Sequence, residues 1–265
     1  MRLTFAFALA PLRAFVSLFA LVGLAGAAHA EGLLGTARHG SLELRYAPYK
    51  PDIDSQFSLP DGCENQGPYS RFYGSGDDGL LLLGYEGHLI KDFGTLSAGA
   101  TFGFFRVEGK AQAGLPCRPT GGGAVTSGVV EESDTAKSSL IIVPVQAQVT
   151  YRLTPWEDRV PLVPVLRLGL DYYMWRMGGT NGEVARFEPG QDASGGTLGW
   201  HYVVGVHVLL DFFSQSMAAD FDRDAGVNST YLTVEYMHAQ VDDFGSKKSL
   251  RLGDSTLVFG LGFDM

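Results

Sequence analysis

The sequence predicts an all-β fold, an eight-stranded antiparallel up-and-down transmembrane β-barrel, from three observations. Apolar and polar residues alternate in eight segments, each long enough to cross a bilayer as a tilted strand. The connections between these segments are alternately long and short. Beyond residue 30, no apolar run approaches the ~20 residues that a membrane helix needs, so a membrane-spanning chain must be a barrel.

The first thirty residues predict export from the cytoplasm. An apolar stretch at 15–27 is followed by small residues at Ala28 and Ala30, the pattern that a signal peptidase recognises. We therefore expect residues 1–30 to be a signal peptide and residues 31–265 to be the outer-membrane barrel domain. An uncleaved amino-terminal anchor is the alternative.

Each of the eight segments has one apolar face and one face of polar or small residues. In segment 163–175, Leu166 and Leu168 share a face, while Arg167 and Asp171 lie on the other. Glycine, threonine and glutamine dominate the polar faces and fit a narrow interior, so we expect the apolar faces to point outwards into lipid. A soluble barrel with its apolar face inwards is the alternative. The same alternation occurs at 41–48, 80–90, 95–106, 139–152, 197–210, 229–240 and 255–263.

The connections predict the orientation of the barrel, because bacterial barrels have long extracellular loops and short periplasmic turns. On that rule both chain termini are periplasmic. The segment 212–228 is long for a periplasmic turn, and Phe213–Ala225 is predicted to form a short helix that plugs or caps the barrel. Ten strands are the alternative to eight if the long loops contain a further hairpin. The long connections are 49–79, 107–138, 177–196 and 241–254, and the short ones are 91–94 and 153–162.

The polar faces carry charges that the fold places inside the barrel. Positive and negative groups are nearly balanced, and buried charges are costly unless they pair, so we predict mutual salt bridges that hold the barrel together. A proton or ion path built from Glu235, Arg167 and two histidines is the alternative. This predicted lumen polar network consists of Glu43, Arg45, Glu86, His88, Arg167, Asp171, His201, His207 and Glu235.

The two cysteines predict a disulfide between loops. Cys63 lies in the first long loop and Cys117 in the second, and an exported protein meets an oxidising compartment. Closing a loop of this length stabilises a fold by ~3–5 kcal/mol in the chain-entropy model.

Acidic residues outnumber basic ones and limit the classes of partner. The chain has 29 acidic and 20 basic residues, so we expect no nucleic-acid partner. Asp220, Asp222 and Asp224 resemble the start of a calcium loop, but Ala225 and Tyr231 stand where the turn glycine and the closing carboxylate belong. We therefore expect neither a metal site nor a cofactor.

Three runs resemble a myxobacterial family of outer-membrane β-barrel proteins: 42–54 (LELRYAPYKPDID), 162–175 (LVPVLRLGLDYYMW) and 221–236 (FDRDAGVNSTYLTVEY). The resemblance extends over nearly the whole mature chain. Its most specific part is the acidic segment followed by a Gly-Val-Asn turn into a strand that ends at Glu235 and Tyr236. It implies a barrel in the outer membrane of a Gram-negative bacterium and supplies no catalytic residues.

The carboxyl terminus departs from many outer-membrane proteins, which end in an aromatic residue. Met265 stands there instead. We expect the barrel-insertion machinery to recognise Phe259, Leu261 and Phe263.

These observations predict a structural or surface-binding protein with a packed lumen, surrounded by outer-membrane lipid, whose acidic loops meet an extracellular ligand. The first alternative is a narrow channel for small solutes, and the second is a lipid-modifying enzyme. We find no serine–histidine–acid trio in the sequence pattern and expect no enzymatic activity. Aromatic residues predicted to form a girdle at the membrane interfaces are Tyr46, Tyr85, Tyr151, Tyr172, Trp175, Trp200, Tyr202 and Tyr236.

Overall fold

The fold is known from a computed structural model of the chain. The predicted signal peptide and both cysteines of the predicted disulfide, Cys63 and Cys117, lie outside the described residues. The structure describes residues 39–57, 67–113, 118–120, 124–126, 131–156, 159–179, 184–188, 191–213 and 215–265.

Among these residues, eight strands close into one antiparallel barrel, which confirms the predicted fold class. Each strand pairs with its neighbours along the chain, and β1 closes the barrel on β8 from Ser41↔Asp264 to Tyr46↔Phe259. The strands are β1 (Gly40–Tyr49), β2 (Asp78–Ile90), β3 (Thr95–Ala113), β4 (Glu131–Arg152), β5 (Leu162–Gly178), β6 (Ser194–Leu209), β7 (Ser229–Val241) and β8 (Asp254–Asp264).

The long loops contain short hairpins that do not join the barrel. Arg118–Thr120 pairs with Ala124–Thr126, and Arg186–Glu188 pairs with Gln191–Asp192, each as a separate two-stranded sheet. The described residues therefore form an eight-stranded barrel and not the ten-stranded alternative.

The hairpin of β3 and β4 extends further than the alternation predicts. The expected loop at 107–138 is largely strand, since β3 runs to Ala113 and β4 begins at Glu131. The ladder continues through Lys110↔Lys137 and has a register shift just beyond it. The apolar alternation ends where the strands leave the apolar belt, whereas backbone hydrogen bonds need no apolar side chain, so the pattern underestimates the strand length.

The first long loop contains a short helix, α1 (Pro68–Tyr73), that is held against the barrel. The Asp54 carboxylate accepts hydrogen bonds from the Tyr69 backbone N at 2.7 Å and the Ser70 backbone N at 3.1 Å, which satisfies donors at the helix start. The helix passes so close to Gly109 of β3 that a Cβ there would clash with the backbone of α1.

A second helix, α2 (Gln215–Ala225), lies within the predicted segment Phe213–Ala225 and follows a 3-10 turn at Asp211–Phe213. Residues 220–225 are exposed or half-buried, as in a surface helix, so the structure does not support the predicted plug. No helix among the described residues is long and apolar enough to cross a membrane.

Candidate functional site

The centre of the barrel interior is organised around Arg167, whose side chain is completely buried. Its Nη2 donates to Glu43 Oε2 at 2.8 Å and its Nη1 donates to Glu235 Oε2 at 3.2 Å. Its Nε donates to Thr150 Oγ1 at 2.9 Å and lies 3.3 Å from Glu86 Oε1. One guanidinium on β5 therefore joins carboxylates from β1, β2 and β7 across the lumen.

Arg45 and His207 complete this central cluster. Arg45 Nη1 donates to Glu235 Oε2 at 3.2 Å, and its Nη2 donates to Thr101 Oγ1 at 2.9 Å. His207 Nε2 lies 2.8 Å from Glu235 Oε1. Three carboxylates thus face two guanidinium groups and one imidazole, and these contacts offset part of the cost of burying the charges.

Small residues on neighbouring strands make room for the long charged side chains. A Cβ on Gly260 would lie 2.6 Å from Arg45 Cγ, and a Cβ on Gly205 would lie 2.7 Å from Glu235 Cγ. The glycines on the polar faces of the strands therefore leave the space that the side chains of the cluster occupy.

A second group lies towards the short-turn end of the barrel. Arg152 Nη1 donates to Asp264 Oδ1 at 2.8 Å, and Arg152 Nη2 lies 2.6 Å from His88 Nε2. The Arg152 guanidinium also stacks over the Tyr231 ring, 5.7 Å from its centroid. Sequence reasoning missed Arg152 and Asp264 as partners, although Arg152 continues the polar face of its strand and could have been found on that signal.

Asp171 and His201 form a separate pair. His201 Nδ1 lies 2.7 Å from Asp171 Oδ1, and Gln146 Nε2 donates to the same oxygen at 3.0 Å. The structure thus places all nine residues of the predicted network inside the barrel, in three groups whose members share contacts.

An apolar layer fills the interior between these polar groups and the long loops, which the sequence pattern did not predict. Phe105 packs edge to face on Tyr49 with ring centroids 4.9 Å apart, and Tyr49 Oη donates to the Leu252 carbonyl at 2.6 Å. Trp175 packs on this layer and is not part of an outer girdle, because it shares the inward-facing side of β5 with Tyr173. The buried members include Leu80, Leu82, Phe105, Leu140, Ile142, Tyr173, Val203, Met237 and Val258.

The outside of the barrel is an apolar belt. Its side chains are about half exposed, with Leu83 at 53% and Phe102 at 58%. Near the short turns, Phe93 and Trp156 are also exposed and contact each other edge to face. The belt includes Leu44, Leu81, Leu83, Tyr85, Phe102, Phe104, Leu166, Leu168, Leu170, Val204, Tyr236, Leu257, Phe259 and Leu261.

The long-loop end is ordered by contacts between the first and last loops. Gln56 Nε2 donates to the Ser249 carbonyl at 2.6 Å, and the Arg251 backbone N donates to Gln56 Oε1 at 2.9 Å. Burial raises the pKa of the Tyr69 and Tyr73 phenols in α1 above their ordinary value.

Two of the clefts that described residues line at this end differ in charge. The larger, of about 640 Å³, is lined by Asp52, Asp54, Asp77, Asp242 and Asp254 together with Lys50, Arg251, His238 and Ser255. His238 Nδ1 lies 2.7 Å from Ser255 Oγ, and no described carboxylate hydrogen-bonds to this imidazole. The smaller cleft, of about 460 Å³, is lined by Arg71, Lys110, Lys137 and Glu108 among others.

Comparison with solved structures finds similar barrels. The crystal structure of Ail, the attachment invasion locus protein of Yersinia pestis, in complex with the heparin analogue sucrose octasulfate, is 13% identical, with a TM-score of 0.39, and the match covers 87% of this chain and 100% of that one. Neisserial surface protein A is 10% identical, with a TM-score of 0.42, and the match covers 89% of this chain and 100% of that one. No protein-family model and no curated protein matches the sequence. Similarities this distant do not identify a ligand or partner for this chain.

Proposed function

We propose that this chain is an integral protein of the outer membrane of a Gram-negative bacterium, with a packed lumen and a surface-binding or structural role exercised through its long loops. The observation that carries this proposal is the apolar belt around a closed barrel whose charges lie inside. A soluble barrel has the opposite arrangement, since water favours charged side chains outside.

The belt is difficult to reconcile with exposure to water. Contiguous exposed apolar patches larger than a few hundred Å² are rare on soluble monomers, whereas this one encircles the strands. Trp156, exposed near the short turns, fits the interfacial zone of a bilayer, where aromatic rings with a polar edge are enriched. The insertion machinery and outer-membrane lipid are the partners that such a protein requires.

The lumen favours a closed barrel over the alternative of a narrow channel. Eight strands enclose little more than their own side chains. Here the Arg167 cluster occupies the centre, and the layer around Phe105 lies between that cluster and the loops. Ions would have to displace both a paired charge cluster and an apolar layer.

The long-loop end is the surface that we propose meets an extracellular ligand. The first and last described residues lie at the opposite end of the barrel, where the His39 backbone N donates to the carbonyl of Met265. By the loop-length rule this other end is periplasmic. The loop contacts through Gln56 pre-organise the outer surface, which lowers the entropic cost of binding.

Electrophoresis and conductance test the proposal directly. The mature chain, refolded into phosphatidylcholine vesicles, should migrate differently in SDS gels before and after boiling, and should give closed traces in planar bilayers at moderate voltage. A chain that is soluble in plain buffer and shows no mobility shift would contradict the membrane assignment. Steady channel openings would contradict the closed lumen.

The predicted disulfide remains part of this proposal. Mass spectrometry of the unreduced mature protein should show a peptide linking Cys63 to Cys117, and that peptide should disappear on reduction. Free thiols in protein isolated from the cell envelope would exclude the bridge.

A further inference from the structure

We propose that a basic surface on the outside of β3, β4 and β5 binds the phosphate groups of anionic lipid headgroups, which carry net negative charge, in the leaflet at the long-loop end. This basic surface is defined as Arg106, Lys110, Lys137 and Arg176, with Arg71 of α1 beside it. The inference rests on the proposed membrane insertion.

The strand register places these cations next to one another. Arg106 of β3 and Arg176 of β5 are both paired with Ile141 of β4, so their backbones are separated by two strand spacings, roughly 10 Å. Four residues further along β3, Lys110 is paired directly with Lys137. All four side chains are exposed on the outward face of the barrel.

The position of the surface fits the headgroup layer of a bilayer. Phe102 and Phe104 of the apolar belt precede it on the outward face of β3, about half exposed. Arg106 and Lys110 follow at the next alternate positions, separated by Glu108. A cation that follows the apolar residues of a membrane strand lies at the depth of lipid phosphates.

The pairing of two lysines is itself unfavourable. Like charges directly opposite each other on paired strands destabilise a sheet. A phosphate bridging Lys110 and Lys137 would convert this repulsion into attraction. Both lysines already have an interaction partner. Such contacts at exposed charged groups are weak and exchange with other partners.

The adjoining cleft of about 460 Å³ strengthens the case for an anion. Its charged lining residues are Arg71, Lys110, Lys137 and Glu108, and Glu108 already pairs with Arg106 at 2.5 Å. Three of these four charged residues are basic, although the chain as a whole has a net charge of −9. The larger cleft at the same end has five aspartates against two basic residues.

The test compares folding in two kinds of vesicle: phosphatidylcholine alone, and phosphatidylcholine with a minor fraction of phosphatidic acid. Urea titrations followed by the SDS-gel shift give the folding equilibrium constant in each. We expect phosphatidic acid to favour the folded wild type. The gain is the factor by which phosphatidic acid raises the folding equilibrium constant. The double substitution Lys110→Gln/Lys137→Gln should reduce this gain about 30-fold, since each cation near an anionic surface contributes roughly fivefold.

Two control variants make the test specific. Lys247→Gln/Lys248→Gln removes the same charge from the last long loop and should keep the wild-type gain. Lys110→Arg/Lys137→Arg keeps the charge and should also retain it. Either of two outcomes would overturn the headgroup site. One is the same gain in wild type and in Lys110→Gln/Lys137→Gln. The other is a gain in Lys247→Gln/Lys248→Gln that falls as much as in Lys110→Gln/Lys137→Gln. Failure of the wild type to insert into phosphatidylcholine alone would instead refute the proposed membrane function.

Discussion

Replacing Arg167 with methionine tests whether the lumen cluster holds the barrel together. Methionine keeps most of the volume and removes the guanidinium that contacts Glu43, Glu86 and Glu235. Glu43 and Glu235 then keep Arg45 as a cationic partner. Glu86 keeps only hydrogen bonds from Gln148 and Thr150 among the described residues. Breaking a buried pair by removing one partner costs about 3–5 kcal/mol, because an uncompensated charge remains in the interior.

The free energy of unfolding in phosphatidylcholine vesicles is the quantity to measure, by urea titration with gel mobility as the readout. Arg223→Met is the matched control, since Arg223 is 74% exposed, lies outside the basic surface and pairs with Asp220. We expect the control to change the unfolding free energy by at most about 1 kcal/mol, as for other exposed ion pairs. Adding Glu86→Gln to Arg167→Met should recover part of the loss, because the carboxylate that loses its cationic partner among the described residues becomes neutral.

An Arg167→Met barrel that unfolds within about 1 kcal/mol of wild type would refute this reasoning. That result would mean that water reaches the cluster and screens its charges, and it would restore the ion path as the better account of these residues.

Other substitutions test the packing of the interior. Tyr49→Phe removes a buried hydrogen bond to a loop carbonyl and should cost about 1 kcal/mol in urea unfolding, whereas Tyr69→Phe should be nearly neutral, because its hydroxyl has no hydrogen-bond partner among the described residues. Gly99→Ala should reduce the yield of folded barrel in the gel assay, because its Cβ would lie 2.0 Å from a backbone oxygen of β2. Gly262→Ala, whose Cβ would meet nothing nearer than 3.8 Å, should fold normally, and equal yields would contradict the packing argument.

Alternation allowed the inward direction of Arg167 to be predicted, because a strand has a period of two and one polar position on it determines the others. The same rule located Glu43 and Glu235 on the inside of β1 and β7. It could not predict that these three side chains contact each other, since they come from strands far apart in sequence. Only the register of the closed barrel brings them to one level.

Apolar residues on the inward face were harder to predict. Leu80 and Leu82 lie in a run of four leucines, and the period of two places them on the same inward face as Glu86. Nothing in the pattern predicts that the interior becomes apolar at their level. The structure buries Leu80 and Leu82 and exposes Leu81 and Leu83. Their location in a layer beneath the loops depends on neighbours from the seven other strands.

The sequence by itself determined where eight alternating strands lie, their order and the face that each presents, because these depend on local periodicity. The choice between eight and ten strands required the structure, which keeps the loop hairpins apart from the barrel. The tertiary structure alone decided which charges pair, where the interior changes from polar to apolar, and how far the hairpin of β3 and β4 extends. Those features depend on contacts between distant segments, and on backbone hydrogen bonds that do not require a side-chain pattern.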